Sequence, residues 1–263
     1  MRGPAAVEPA GLADVRLGRR EAVVGRTLLW YPALDSTQDE LRRQASAGAK
    51  TGTVILAETQ SAGRGRRGRQ WLDRPGQDLL LSALLEAPGL PPGLLPVALG
   101  AGLAQALSAA TGAEIQAQWP NDLVVEGDKV AGLLVELVSG RYLAGLGVNV
   151  LGARAEVAER TGRAAATLES AAGRSLDRMG VLAACLEALE AVTCRWSPET
   201  AAEAIADRDY LRGKPVAIRE ARGVLRGTAA GVSPAGALCL RTEAGRVEVV
   251  VAEAVTVEAE PQS

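Results

Sequence analysis

Apolar positions in the first half of the chain fall into short runs broken by glycine and polar turns, a pattern of strands with a few helices between them. Residues 27–31 read as a first strand, residues 53–58 (TVILAE) as a buried β-branched strand, and residues 78–86 (DLLLSALLE) as another apolar strand. Thr37 and Glu40 stand at capping-box spacing, which predicts a helix over 37–48. Residues 94–110 are apolar and rich in alanine, a buried helix closed by Thr111 and Gly112. An antiparallel meander follows, with strands at 114–118, 123–126, 129–138 and 142–150 and turns at 119–122, Gly127-Asp128 and Ser139-Gly140. Gly132, Gly145 and Gly147 weaken these strands, so they predict bulges or the close approach of a ligand.

The remaining stretches are less regular. Residues 1–25 show no clear helical stripe and read as a lead-in, and residues 151–167 contain no evident element, as functional loops often do. Leucine and alanine at helical spacing predict a helix over 176–196. Ser197-Pro198-Glu199 opens a second one, with an N-cap followed by proline at the first helical position. After Gly213 the pattern becomes short alternating strands, at 214–220, 224–232, 237–242 and 246–251, split by turns at Arg222-Gly223, 234–236 and Ala244-Gly245. Such regular short strands indicate a small β-barrel of SH3-like size. The predicted organisation is a lead-in (1–25), a main domain (26–211) and a small β domain (212–258).

Composition narrows the chemistry. The chain has 263 residues, 48% apolar and 23% charged, and a net charge of −2, which describes an ordinary globular protein with ample core. It has no histidine, so no Ser-His-Asp or Cys-His pair, HExxH zinc site or imidazole base exists. Cys185, Cys194 and Cys239 have no metal-ligand spacing, and a sparse, odd set fits a reducing cytosol. There is neither a signal-peptide pattern nor an apolar run long enough for a bilayer, so a soluble cytoplasmic protein without a membrane partner is expected.

Against that background Gly63 to Trp71, GRGRRGRQW, stands out. Arg64, Arg66, Arg67 and Arg69 form a basic island on a slightly acidic chain, which favours a small local anion over general polyanion binding. Gly63, Gly65 and Gly68 let the backbone approach a ligand closely. Crowded like charges repel, so the run is expected to order around an anion. Taken alone, it also reads as a solvated basic loop or an RGG-like nucleic-acid segment.

Four motifs occur in order: Asp35-Ser36-Thr37, AETQSAGRGRRGRQW (57–71), QWPNDLVV with KVAGLLVEL (118–137), and GLGVNV (145–150). Together, with a small barrel after them, they resemble biotin protein ligases. The resemblance implies an α+β fold, with a mixed sheet and helices like class II aminoacyl-tRNA synthetases and an SH3-like domain behind it. It further implies activation of biotin by ATP with Mg2+ to biotinyl-5′-AMP. Biotin then passes to a lysine on the biotin carboxyl carrier domain of a carboxylase. With no room for an N-terminal DNA-binding domain, the chain resembles the ligase-only type; no DNA partner is expected and a homodimer stays open.

The resemblance also assigns residues. Ser36, Thr37, Gln38 and Gln60 would bind the ureido head of biotin, and Gly132 and Leu134 would line its tunnel. Gly63, Arg64, Gly65 and Arg66 would fold over the activated carboxylate and phosphate, with Lys129 beside them. Arg66, Arg69, Trp71, Asn121, Asp122 and Asn149 would serve ATP, and the only metal would be the Mg2+ that comes with ATP. The catalytic set is Arg64, Arg66, Lys129 and Asp122, the last either deprotonating the acceptor amine or orienting Arg64 or Lys129. One departure is Gln118, where most relatives carry a cation before WPND. A lipoate or octanoate ligase of the same fold is the nearest rival, disfavoured by the polar Ser36, Thr37 and Gln60. A nucleic-acid-binding regulator is the rival from another class, and it leaves WPND and KVAG unexplained.

Overall fold

The computed structural model describes residues 8–152, 164–220, 223–243, 245, 247–250 and 254–257. Most of the loop expected at 151–167, the first seven residues, and the turn residues Arg222 and Ala244 lie outside the described residues.

The larger sheet is built from Leu28–Tyr31 (β1), Val54–Ala57 (β2), Asp78–Leu85 (β3), Gln116–Gln118 (β4), Asp122–Val125 (β5), Asp128–Val138 (β6) and Arg141–Asn149 (β7). Its strand order is β1-β2-β3-β7-β6-β5-β4. Only β1 and β2 run parallel; every other neighbouring pair is antiparallel, so the sheet is mixed. Every residue of β3 is buried, which is why this strand reads as an unbroken apolar run. Leu79, Leu81, Ala83 and Leu85 enter the main core. Leu84 packs on the other face with Leu41, Ile55 and Leu143.

Helices cover the main-core face. Leu95–Thr111 (α3) is buried along most of its length and packs against Arg178–Cys194 (α5) and Pro198–Arg208 (α6). Thr37–Ser46 (α2) lies on the opposite face, against β2, β3 and β7. Full burial of each leucine stabilises the fold by roughly 1.5–3 kcal/mol, so the two sides of β3 hold the domain together. The expected terminators are present, with Gly112 in the left-handed region (φ 80°) after α3 and Ser197 accepting the Thr200 amide before α6.

Several expectations need correction. The lead-in contains a seven-residue helix, Leu12–Gly18 (α1), which buries Leu12 and Val15 and packs against α5. Two apolar residues make too short a stripe to read from sequence, and so short a helix depends on tertiary packing. Thr37 and Glu40 form no capping box: Ser36 is the N-cap, and no side chain caps the helix. The Thr37 hydroxyl turns inward to Gln60 and Ser82, while Glu40 bonds Tyr31, Arg43 and Gln44. A further helix, Leu168–Ala172 (α4), starts at a capping box of Thr167 and Ser170, where serine takes the usual place of glutamate.

The C-terminal strands Pro215–Glu220 (β8), Gly223–Val232 (β9), Leu238–Arg241 (β10), Val247–Val250 (β11) and Ala254–Val257 (β12) form a small antiparallel sheet in the order β11-β10-β9-β8-β12. It joins the main domain at its β9–β10 turn. There the Gly236 carbonyl accepts a hydrogen bond from Trp119 Nε1 at 3.0 Å, in the connection between β4 and β5. Gly236 has φ +83°, and a Cβ on it would lie 1.9 Å from the Gly93 carbonyl oxygen just before α3. Gly236→Ala should therefore destabilise the protein by about 1–3 kcal/mol, through overpacking and a positive φ. Urea unfolding monitored by circular dichroism measures the loss.

Asp35 fixes the entry to α2 in place of the missing cap. Its carboxylate takes both Arg43 Nη1 (3.0 Å) and Nη2 (2.8 Å) and accepts the Ser36 amide at 2.7 Å. The Arg43 bonds, followed by the Ser36 amide, hold its pKa at about 2. Because the folded value lies below the unfolded value of about 3.9, this stabilisation is complete above about pH 4 and fades as pH falls through the folded value. Asp35→Asn should thus lower the melting temperature at neutral pH, and a melting series in acid should show the difference from the wild type closing.

Candidate active site

On the α2 side of the sheet, a cavity of about 750 Å3 opens between β3, β7, β6 and the glycine-arginine loop. All of the residues assigned above by resemblance line it except Gly63. Gly63 stands at the root of the loop, where its carbonyl accepts the Trp71 amide at 2.9 Å. The loop closes as a hairpin through Gly65 N–H to Arg69 O (2.7 Å) and an antiparallel bridge between Arg64 and Gln70. In this loop Arg64 and Arg66 have side-chain partners from the protein itself, Asp39 and Asn121.

The inner end of the cavity is polar. Gln60 Oε1 accepts the Thr37 amide (2.7 Å) and hydroxyl (3.1 Å), and the Ser82 hydroxyl reaches Thr37 Oγ1 and Gln38 Oε1, each at 2.9 Å. Gln38 Nε2 donates to the Leu143 carbonyl and to Glu136. Ser36, Thr37, Gln38 and Ser82 are all buried, so these groups exchange bonds with one another or with whatever enters. Ser82 escaped the sequence reading; a lone serine inside the apolar run of β3 was its only signal.

The glycines of β6 and β7 explain the middle of the cavity. Gly132 and Gly147 are cross-strand partners, and the Trp71 indole lies on them. A Cβ at Gly147 would sit 2.4 Å from Trp71 Cε2, and one at Gly132 would sit 3.1 Å from Trp71 Cζ3. A Cβ at Gly145 would lie 2.8 Å from Gln38 Oε1. The expected close approach is thus made first by side chains of the chain itself, and β6 and β7 pair through these positions without a shift of register.

The outer end is charged. Lys129 Nζ lies 2.6 Å from Asp122 Oδ1 and 5.2 Å from the Trp71 ring centre, where the ring face attracts it. Arg66 Nη1 donates to Asn121 Oδ1 at 3.2 Å. Burial lowers the Arg66 pKa, as do neighbouring Arg67 and Arg69, while Asp122 opposes them; a guanidinium stays charged regardless. Asn149 Nδ2 bonds the carbonyls of Lys129 and Ala166 at 3.1 Å each, tying β7 to β6 and to the segment before α4. Gln118 is buried in the cavity wall. Arg64 turns the other way, to Asp39 at 2.6 Å, whereas Asp122 faces Lys129.

One cavity therefore joins a hydrogen-bonding inner end, an aromatic and aliphatic middle, and a cationic mouth. Such a space accepts a molecule with a polar head, an apolar chain and an acidic tail, and brings that tail to fixed positive charge.

Comparison with known proteins agrees with this shape. Residues 30–152 match the Biotin/lipoate A/B protein ligase family, and residues 212–256 match the Biotin protein ligase C terminal domain. The biotin–[acetyl-CoA-carboxylase] ligase of Mycobacterium tuberculosis is 32% identical over 228 residues, covering 82% of this chain and 84% of that protein. The corresponding ligase of Paracoccus denitrificans is 30% identical over 236 residues, covering 83% and 96%. Among solved structures, the biotin protein ligase from Aquifex aeolicus in complex with biotin and ATP superposes with a TM-score of 0.76 at 28% identity, covering 89% of this chain and all of that one. Matches to both domains in order, and relatives alike over most of each chain, make this chain a member of the biotin protein ligase family.

Proposed function

We propose that this protein activates biotin with ATP to biotinyl-5′-AMP and pyrophosphate, and then transfers biotin to a lysine of a biotin carboxyl carrier domain. The observation that carries this reading is the single cavity with a polar inner end at Thr37, Gln60 and Ser82 and a cationic mouth at Arg66 and Lys129. In the first step a carboxylate oxygen attacks the α-phosphorus and pyrophosphate leaves. Both reactants are anions, so repulsion is the main barrier, and preorganised cations lower it by meeting the charge that spreads in the transition state. Lys129, held by Asp122, and Arg66, held by Asn121, supply that charge; MgATP brings its own metal.

In the second step a neutral amine attacks the mixed anhydride and AMP leaves. Asp122 is the carboxylate at hand to receive the amine proton, once Lys129 has turned from it to the acyl phosphate. Gln118 puts a neutral amide where most relatives carry a cation, and Arg66 and Arg69 of the loop supply charge to the same cavity. The polar inner end favours the ureido ring of biotin over the plain chain of lipoate or octanoate.

We assign residues 26–211 to the catalytic domain and 212–258 to an SH3-like domain, and read the main fold as class II synthetase-like. The absence, among the described residues, of a helix long and apolar enough to cross a membrane supports a cytoplasmic reading.

Incubation with ATP, Mg2+ and biotin should release pyrophosphate and leave bound biotinyl-AMP, whereas lipoate should not; release with lipoate alone would favour the rival ligase. Lys129→Ala and Arg66→Ala should each lower the rate of adenylate formation by about 10²–10³, by analogy with deletion of a single oxyanion donor. Single-turnover measurement of pyrophosphate checks this, and a change confined to KM would point to binding alone.

A further inference from the structure

Arg64 belongs to the loop, yet its side chain makes its ion pairs outside the loop and away from the Lys129–Asp122 pair. Its Nη2 lies 2.6 Å from Asp39 Oδ1 in the first turn of α2 and 3.9 Å from Glu136 Oε2 on β6. Arg42 ties the two acids together, at 2.8 Å from Asp39 and 2.9 Å from Glu136. Glu136 Oε2 also accepts Gln38 Nε2 at 2.8 Å, and Gln38 is bonded to Ser82 and so to the polar inner end of the cavity. A continuous set of polar contacts runs from that inner end to the loop.

We infer that Asp39 and Glu136 are positioning residues that latch the glycine-arginine loop over the cavity through Arg64. Two carboxylates face Arg64, and one neighbouring cation, Arg42, is shared between them. The acids therefore keep attraction to spare for the loop. α2 and β6 are anchored in the fold, so the latch fixes the loop without touching a substrate. Its partners are each about one-third exposed, at 39% for Arg64 and 31% for both Asp39 and Glu136. An ion pair of this kind is modest in strength and screened by salt, which suits a loop that must reopen for product. The consequence for turnover rests on the adenylation reading: a loosened loop should let the water-labile adenylate escape before transfer.

The latch itself is tested on the ligand-free protein, by hydrogen exchange of peptides spanning 63–71 in the wild type, Asp39→Asn, Glu136→Gln and Asp39→Glu. Exchange should quicken about two- to fivefold in Asp39→Asn and Glu136→Gln. Asp39→Glu should restore it, and added salt should quicken exchange in the wild type but little in Asp39→Asn. Equal exchange in the wild type and both neutral variants, with circular dichroism showing all of them folded, would overturn the latch. The kinetic consequence is read separately, as free biotinyl-AMP released per biotin transferred, which should rise in Asp39→Asn. An unchanged ratio with quickened exchange would overturn that consequence. Wild-type protein that forms no adenylate would overturn the adenylation reading, while the exchange result still decides the latch.

Discussion

Mutual repulsion among guanidinium groups is the constraint that the rest of this site answers. Arg64, Arg66, Arg67 and Arg69 fall within six consecutive positions, and a flexible strand of such charge would spread into solvent. The fold separates two of them by direction. Arg64 goes to carboxylates on α2 and β6, Arg66 goes to Asn121 above β5, and the backbone between them is pinned as a hairpin. Positive charge is thereby held on both sides of one cavity by elements whose own places are set by the core.

That arrangement depends in turn on the absence of side chains beneath Trp71. A sheet normally carries a Cβ at every position, which would hold an indole away from the backbone. Gly132 and Gly147 meet across β6 and β7 and open a shallow seat, and Trp71, which ends the loop, occupies it. The same indole faces Lys129, so a packing contact and a charge contact share one ring. The loss in strand propensity at these glycines is offset by the anchoring of the loop.

Much of this was legible in the residues. Strands β2 and β3, helix α3, the β4–β7 meander and the caps at Gly112 and Ser197 follow from periodicity and terminal signals, because each is a local property of the chain. The glycines of β6 and β7 announced a close approach, although sequence could not say that Trp71 and Gln38 would be what approached. Thr37 looked like a helix cap because capping chemistry and ligand chemistry use the same hydroxyls; only the direction in which it points separates the two. Helix α1 and the pairings of Arg64 with Asp39 and Glu136 were out of reach, since they join positions far apart in the chain and depend on how elements pack.

The seam at Gly236 has an implication for how the two parts of the molecule belong together. They look separable by sequence pattern, yet the carbonyl of a turn in the small sheet completes the hydrogen bonding of the Trp119 indole, which lines the reaction cavity. Cutting the chain near residue 211 would remove the acceptor of the Trp119 N–H, next to Pro120, Asn121 and Asp122 in the chain. The smaller unit is thus a wall of the same room, and any exchange of it with a homologous module has to reproduce the carbonyl that Trp119 leans on.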